Sequence, residues 1–120
     1  MGNKTLALCR TAPYGSALAR EGLEAVLASA AMEQEVDLLF IGDGIFQLLG
    51  NQSPEEIQQK SQRRNLLALP MFGLEQFYVC ASSLAERGVK PKLIEIPGVE
   101  IKTIEQPGAL IASYQCVLSF

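Results

Sequence analysis

Val36-Asp37-Leu38-Leu39-Phe40-Ile41, closed by Gly42-Asp43-Gly44, settles the architecture of this chain. A nearly unbroken apolar run stopped by two glycines reads as a strand covered on both faces and running into a tight turn. Upstream, Leu23, Val26, Leu27, Ala30 and Ala31 recur at helical spacing, while Arg20, Glu21, Glu24 and Ser29 fall largely off that stripe. Further back, Thr5-Leu6-Ala7-Leu8-Cys9 is a second short apolar run, ended by Thr11-Ala12-Pro13-Tyr14-Gly15, with Ser16 placed to cap the helix. Strand, helix, strand in this order predicts a right-handed parallel crossover.

Downstream the alternation continues. Ile45 to Leu49 reads as a short helical turn, and Gly50 to Pro54 as a loop with Ser53 as cap and Pro54 at the first helical position. A polar helix is expected from about Glu55 to Leu69, stopped by Pro70. Phe77-Tyr78-Val79-Cys80-Ala81 gives a third buried strand, Ser83-Leu84-Ala85-Glu86 fits a capping box, and Gly88 suits the end of that short helix. Leu93 to Ile96 and Val99 to Ile104 read as extended, a short helix is expected near Gly108 to Ser113, and Cys116-Val117-Leu118 reads as a last strand. The expected fold is α/β: a mainly parallel sheet of about five strands in a three-layer α/β/α arrangement, with residues 1–120 forming one domain.

Composition agrees with a packed domain. A chain of 120 residues can bury roughly two thirds of its surface, and 48% hydrophobic against 19% charged residues argues against disorder. Thirteen acids against ten bases give a net charge of -3, the wrong sign for gripping a phosphate backbone unaided. Apolar runs such as Phe77 to Ala81 and Leu66 to Met71 are far shorter than the roughly 20 residues that span a bilayer. The start of the chain lacks the pattern of a secretory signal, so the reducing cytoplasm is the expected compartment and the three cysteines are expected as free thiols. There is no histidine, which removes Ser-His-Asp triads, Cys-His dyads and His-ligated zinc together. Cys9, Cys80 and Cys116 are far apart in sequence and form no C-x-x-C pair, so neither a thiolate metal site nor a cofactor is expected.

In parallel sheets, reactive groups gather at the carboxyl ends of the strands. Cys80 stands near such an end, just before a short helix, where hydrogen bonds from exposed amides favour a thiolate or a persulfide anion. The competing reading makes it one more small hydrophobe of the Phe77 to Ala81 run. Cys9 also falls at a strand's carboxyl end, where the sheet could bring it near Cys80, and is read mainly as structural. Cys116 begins the last strand and is read as core packing. The loop Thr11 to Ser16 precedes a helix but has one glycine and no phosphate-loop lysine, so it matches no nucleotide fingerprint. Asp43 is either a general base or partner contact, or simply part of a turn. Lys60, Arg63 and Arg64 read as a solvated face. Ile45, Phe46, Leu48, Leu49, Leu66, Leu67, Leu69, Met71 and Phe72 divide between core packing and a subunit contact.

Arg10-Thr11-Ala12-Pro13-Tyr14-Gly15-Ser16, Ala19-Arg20-Glu21-Gly22-Leu23, Asp43-Gly44-Ile45-Phe46-Gln47-Leu48-Leu49, Tyr78 through Gly88 and Val117-Leu118-Ser119-Phe120 together resemble the DsrE/DsrF-like family, in its TusC/DsrF branch. The resemblance runs over essentially the whole chain. It implies a subunit of a cytoplasmic TusBCD-type heterohexamer that supports persulfide transfer for 2-thiolation of the tRNA wobble uridine. TusB- and TusD-like subunits would be the direct partners and TusA- and TusE-like carriers the indirect ones, with no direct contact to nucleic acid or membrane. The working cysteine of the family belongs to the D-type subunit, and Cys80 with Arg87-Gly88 is similar to that position. C-type subunits are structural partners, so the resemblance implies a non-catalytic subunit, with Cys80 as the candidate persulfide site. Two alternatives remain: a sulfur carrier using Cys80 directly, and a DsrF subunit of a dissimilatory sulfur-oxidation complex. Persulfide exchange needs an attacking thiolate and no histidine base, which suits this composition.

Overall fold

The computed structural model describes residues 4–10, 18–32, 35–49, 65–94 and 96–120. Among the described residues five strands are formed: β1 (Thr5–Cys9), β2 (Val36–Phe40), β3 (Gln76–Cys80), β4 (Glu100–Ile104) and β5 (Cys116–Ser119). The helices α1 (Leu18–Ala31), α2 (Ala81–Glu86) and α3 (Pro107–Ala112) accompany them, and residues 65–68 are α-helical as well. Tight 3-10 turns occupy Gly42–Leu48, Leu69–Phe72 and Pro91–Leu93.

The strands form one sheet in the order β4-β3-β2-β1-β5, and every neighbouring pair is parallel. From β1 to β4 the chain steps steadily in one direction, so right-handed crossovers put all three connections on the same face. The core shows this. Ala7 and Cys9 of β1, Val36, Leu38 and Phe40 of β2, and Phe77 and Val79 of β3 are buried in one cluster with Leu23, Val26 and Ala30 of α1, Leu69, and Leu84 of α2. The return from β4 to β5 must cross the opposite face. It carries α3, and just beyond it the Tyr114 hydroxyl donates to the Asp37 carboxylate on β2. The three layers are therefore unequal, because α3 contributes no buried residue.

The structure refines several expectations. Of the stretch read as extended from Leu93 to Ile96, Leu93 closes a 3-10 turn begun at Pro91, Ile94 has extended angles, and Ile94 and Ile96 are buried in the core. The α-helix expected to stop at Pro70 does end there: residues 65–68 are α-helical, and the chain continues as a 3-10 segment with Pro70 in its first turn and Gly73 in the left-handed region at its end. Proline's missing amide is tolerated there, as at any helical first turn. Cys116 is not a core residue. β5 takes the outer edge beside β1, and all four of its residues are exposed. The expectations for Thr11 to Ser16, Ser53, Pro54, Lys60, Arg63 and Arg64 lie outside the described residues.

Candidate functional site

Cys80 ends β3, an interior strand, so its rim is flanked by the ends of β2 and β4. It has extended backbone angles and serves as the residue preceding α2. The expected capping box is absent, because α2 begins three residues earlier, at Ala81, and no side chain caps it. That shift places the Ser82 and Ser83 hydroxyls beside the cysteine.

The thiol is nearly closed off, with Cys80 only 2% exposed. Its Sγ lies 3.3 Å from Ser82 Oγ. Burial by itself pushes this thiol up, yet hydrogen bonds from the side chains and backbone amides of Ser82 and Ser83 outweigh it, and the net shift is below the ordinary cysteine value. Cys9 is the contrast. Fully buried, with desolvation alone acting on it, its thiol is pushed up to about 12. Two thiols at strand ends thus differ because only one has donors pointed at it.

The two do not meet. β2 separates β1 from β3, and the register aligns Cys9 with Phe40 and Phe40 with Val79. Successive side chains alternate faces. Cys9 therefore belongs to the packed face and Cys80 to the opposite one. Cys116 starts β5 at the far, amino edge and joins neither.

The turn after β2 is tied to α2 by charge and hydrogen bonding. Arg87 donates from Nε and Nη2 to Asp43 Oδ1 at 3.2 and 3.0 Å, and from Nη1 to the Ser83 carbonyl at 3.2 Å. Its Nη1 also lies 3.6 Å from Glu86 Oε2. The Gly42 amide donates to Ser83 Oγ at 2.9 Å. Asp43 is thus an ion-pair partner of Arg87 and a turn residue, and its carboxylate is engaged. The resemblance already set Arg87 with Cys80, but it did not show the pairing of Arg87 with Asp43 or of Ser83 with the Gly42 amide, because those links span 44 and 41 positions.

The apolar set divides. Ile45, Leu48, Leu66 and Leu69 are core, whereas Leu67 (39% exposed), Phe72 (46%) and Met71 (85%) face outward. Met32, at the end of α1, is 73% exposed. At the amino edge, a cleft of about 410 Å³ is lined by Lys4, Glu35, Asp37, Phe72 and Leu74 among others. Among the described residues no group of three His, Cys, Asp or Glu side chains is placed to hold a metal ion, and no helix is long and apolar enough to cross a membrane.

A parallel five-stranded sheet carrying a shielded, hydrogen-bonded thiol over its third strand defines an α/β protein whose candidate chemistry is that of one sulfur atom. The chain belongs to the DsrE/DsrF-like family, which it matches over residues 3–120. It is 36% identical over 113 residues to Protein TusC of Escherichia coli O8 and to Protein TusC of Shigella flexneri, covering 92% of each chain in both cases. The crystal structure of the ychN protein from E. coli has the same fold, with a TM-score of 0.74 and 26% identity over 98% of this chain and 99% of that one.

Proposed function

We propose that this chain is the C-type subunit of a TusBCD-type sulfur relay, a single cytoplasmic DsrE/DsrF-like domain that supports persulfide transfer for 2-thiolation of the tRNA wobble uridine. Its role is that of a structural partner of a catalytic D-type subunit, with TusB- and TusD-like chains bound directly and TusA- and TusE-like carriers upstream and downstream. The observation that carries this reading is the 36% identity to TusC proteins along nearly the full length of both chains. The outward-facing Met32, Leu67, Met71 and Phe72 supply surface for such partners. Co-expression with B- and D-type subunits followed by native mass spectrometry tests it: a heteromeric complex is expected, and a chain that stays apart from both overturns it.

A second reading makes Cys80 a carrier, and the hydrogen-bonded, acidified thiol favours it. The Cys80 thiolate would attack the outer sulfur of a donor protein's persulfide. A Cys80 S–S bond forms, the donor's S–S bond breaks with its electron pair leaving on the donor thiolate, and the transferred sulfur keeps its proton. Cys80→Ser in the assembled complex separates the readings. Unchanged tRNA thiolation leaves the structural role, and lost thiolation with intact assembly establishes the carrier.

A further inference from the structure

We propose that the cleft at the amino edge of the sheet seats a lysine or arginine side chain of a partner subunit, with Glu35 as the carboxylate that receives its charge. This deepens the reading of the chain as a C-type subunit and rests on it for the identity of the partner.

The cleft is made of backbone that is already fixed. One wall is the start of β1 and β2, where the Thr5 amide donates to the Glu35 carbonyl at 3.2 Å. The facing wall is the turn through Phe72 and Leu74, in which the Gly73 amide donates to the Pro70 carbonyl at 3.1 Å and the Leu74 amide to that of Leu69 at 3.2 Å. Ala30 of α1 joins the lining, and the enclosed space of about 410 Å³ gives room for the stem and head of one long side chain. Cys80 stands at the other end of the strands, so this cleft is separate from the thiol.

The charges that line it are Lys4, Glu35 and Asp37, two acids against one base. Asp37 is answered twice: the Tyr114 hydroxyl donates to its Oδ2, and the Lys4 ammonium lies 4.0 Å from the same oxygen. Glu35 is exposed, and its carboxylate makes no hydrogen bond or ion pair among the described residues. The cleft therefore holds one negative charge in excess beside an apolar wall, since Leu74 is buried and Phe72 is 46% exposed. A long basic side chain matches both features. Its methylenes lie along the apolar wall, its cation reaches Glu35, and the face of the Phe72 ring attracts the same charge. An acidic group would meet Glu35 with like charge, and a purely apolar segment would strip water from that carboxylate without replacing it. Phe72 also belongs to the outward-facing apolar side chains. A partner chain that seats its cation here covers that ring as well, which a small free amine does not.

Titration calorimetry of the full chain with purified B- and D-type subunits tests this through opposite signs. Glu35→Gln removes the receiving charge and is expected to raise Kd about threefold or more at low salt. Lys4→Gln removes the cation that competes for the cleft and is expected to lower Kd. Both effects shrink as salt is raised, because the groups are partly exposed. Glu21→Gln makes the same charge change in the first turn of α1, at the other end of that helix from Ala30, and is expected to leave Kd within about twofold. Melting curves of each variant alone check folding. If the parent chain binds its partners but Glu35→Gln leaves Kd unmoved, or Lys4→Gln raises it, the cleft proposal is overturned and the assembly reading stands. Reversed signs in both variants would identify an acidic partner group and overturn it equally. A parent chain that binds neither subunit overturns the assembly reading and this proposal with it.

Discussion

Gly44 and Gly88 were both legible as turn glycines, yet physics requires them for different reasons. Gly88 has a φ of +64°, and no atom lies within 4 Å of where its Cβ would be. Gly88→Ala should therefore cost only the left-handed backbone penalty, about 1 kcal/mol. Gly44→Ala should cost about 3 kcal/mol or more, since its Cβ would overlap the Cys9 carbonyl oxygen and backbone must move. Urea unfolding of the two variants measures the difference, and equal losses would contradict this assignment. The local sequence could reveal a turn, but not that β1 backbone presses on it. Cys9 gives a pH signature by the same logic. Its folded thiol is raised to about 12 from 9.0, so the unfolded chain ionises first. Stability from this group is complete below pH 9.0 and is lost as the pH climbs toward about 12, by at most about 1.4 kcal/mol per pH unit. Cys9→Ala should flatten that part of the alkaline decline relative to the parent chain, as read by unfolding at successive pH values.

At the scale of elements, the successes and failures share a cause. α2 ends in a Schellman motif: the Val89 amide bonds the Leu84 carbonyl at 3.0 Å and the Gly88 amide bonds that of Ala85 at 3.2 Å, with Leu84 and Val89 packed at the core. A glycine after an apolar helix face announces such an end. The start of α2 was misplaced because the serines looked like caps, whereas the thiol and the Gly42 amide use them. Leu93 to Ile96 reads as extended from its alternating apolar residues, and Ile94 is extended, but Pro91 takes Leu93 into a 3-10 turn that the alternation does not announce. The segment between α3 and β5 was opaque, because the side-chain tie that joins it to the sheet is the hydroxyl of Tyr114, reaching Asp37 across 77 positions. Burial and the neighbouring Asp37 carboxylate raise the Tyr114 phenol above its ordinary value, so the donor keeps its proton well into the alkaline range. Tyr114→Phe should cost about 1 kcal/mol and speed amide hydrogen exchange in β5 more than in β2 or β3. Uniform exchange changes across the sheet would speak against a local fastening.

At the scale of the molecule, strand alternation announces a parallel sheet, but strand order is decided by one choice invisible to local patterns: which side of β1 receives β5. Because β5 returns to the outer edge, the uncharged Val117 and Leu118 are exposed there, and Cys80 keeps an interior strand with two flanking turns. The other consequence lies where α1 packs against the 3-10 turn at Leu69–Phe72. Met71 and Phe72 of that turn and Met32 at the end of α1 are exposed, the kind of apolar side chain a partner could cover. A side chain as exposed as Met71 contributes almost nothing to folding of the chain itself, so Met71→Glu should leave its unfolding free energy within about 0.5 kcal/mol. If B- or D-type subunits cover this end, the same substitution buries a carboxylate and should weaken their binding about tenfold or more, equivalent to about 1.4 kcal/mol. Titration calorimetry with the purified partners, beside a melting curve of the variant alone, separates the two effects. An unchanged Kd would mean that the partners bind through another face, and a lowered melting temperature would mean that Met71 serves the fold after all.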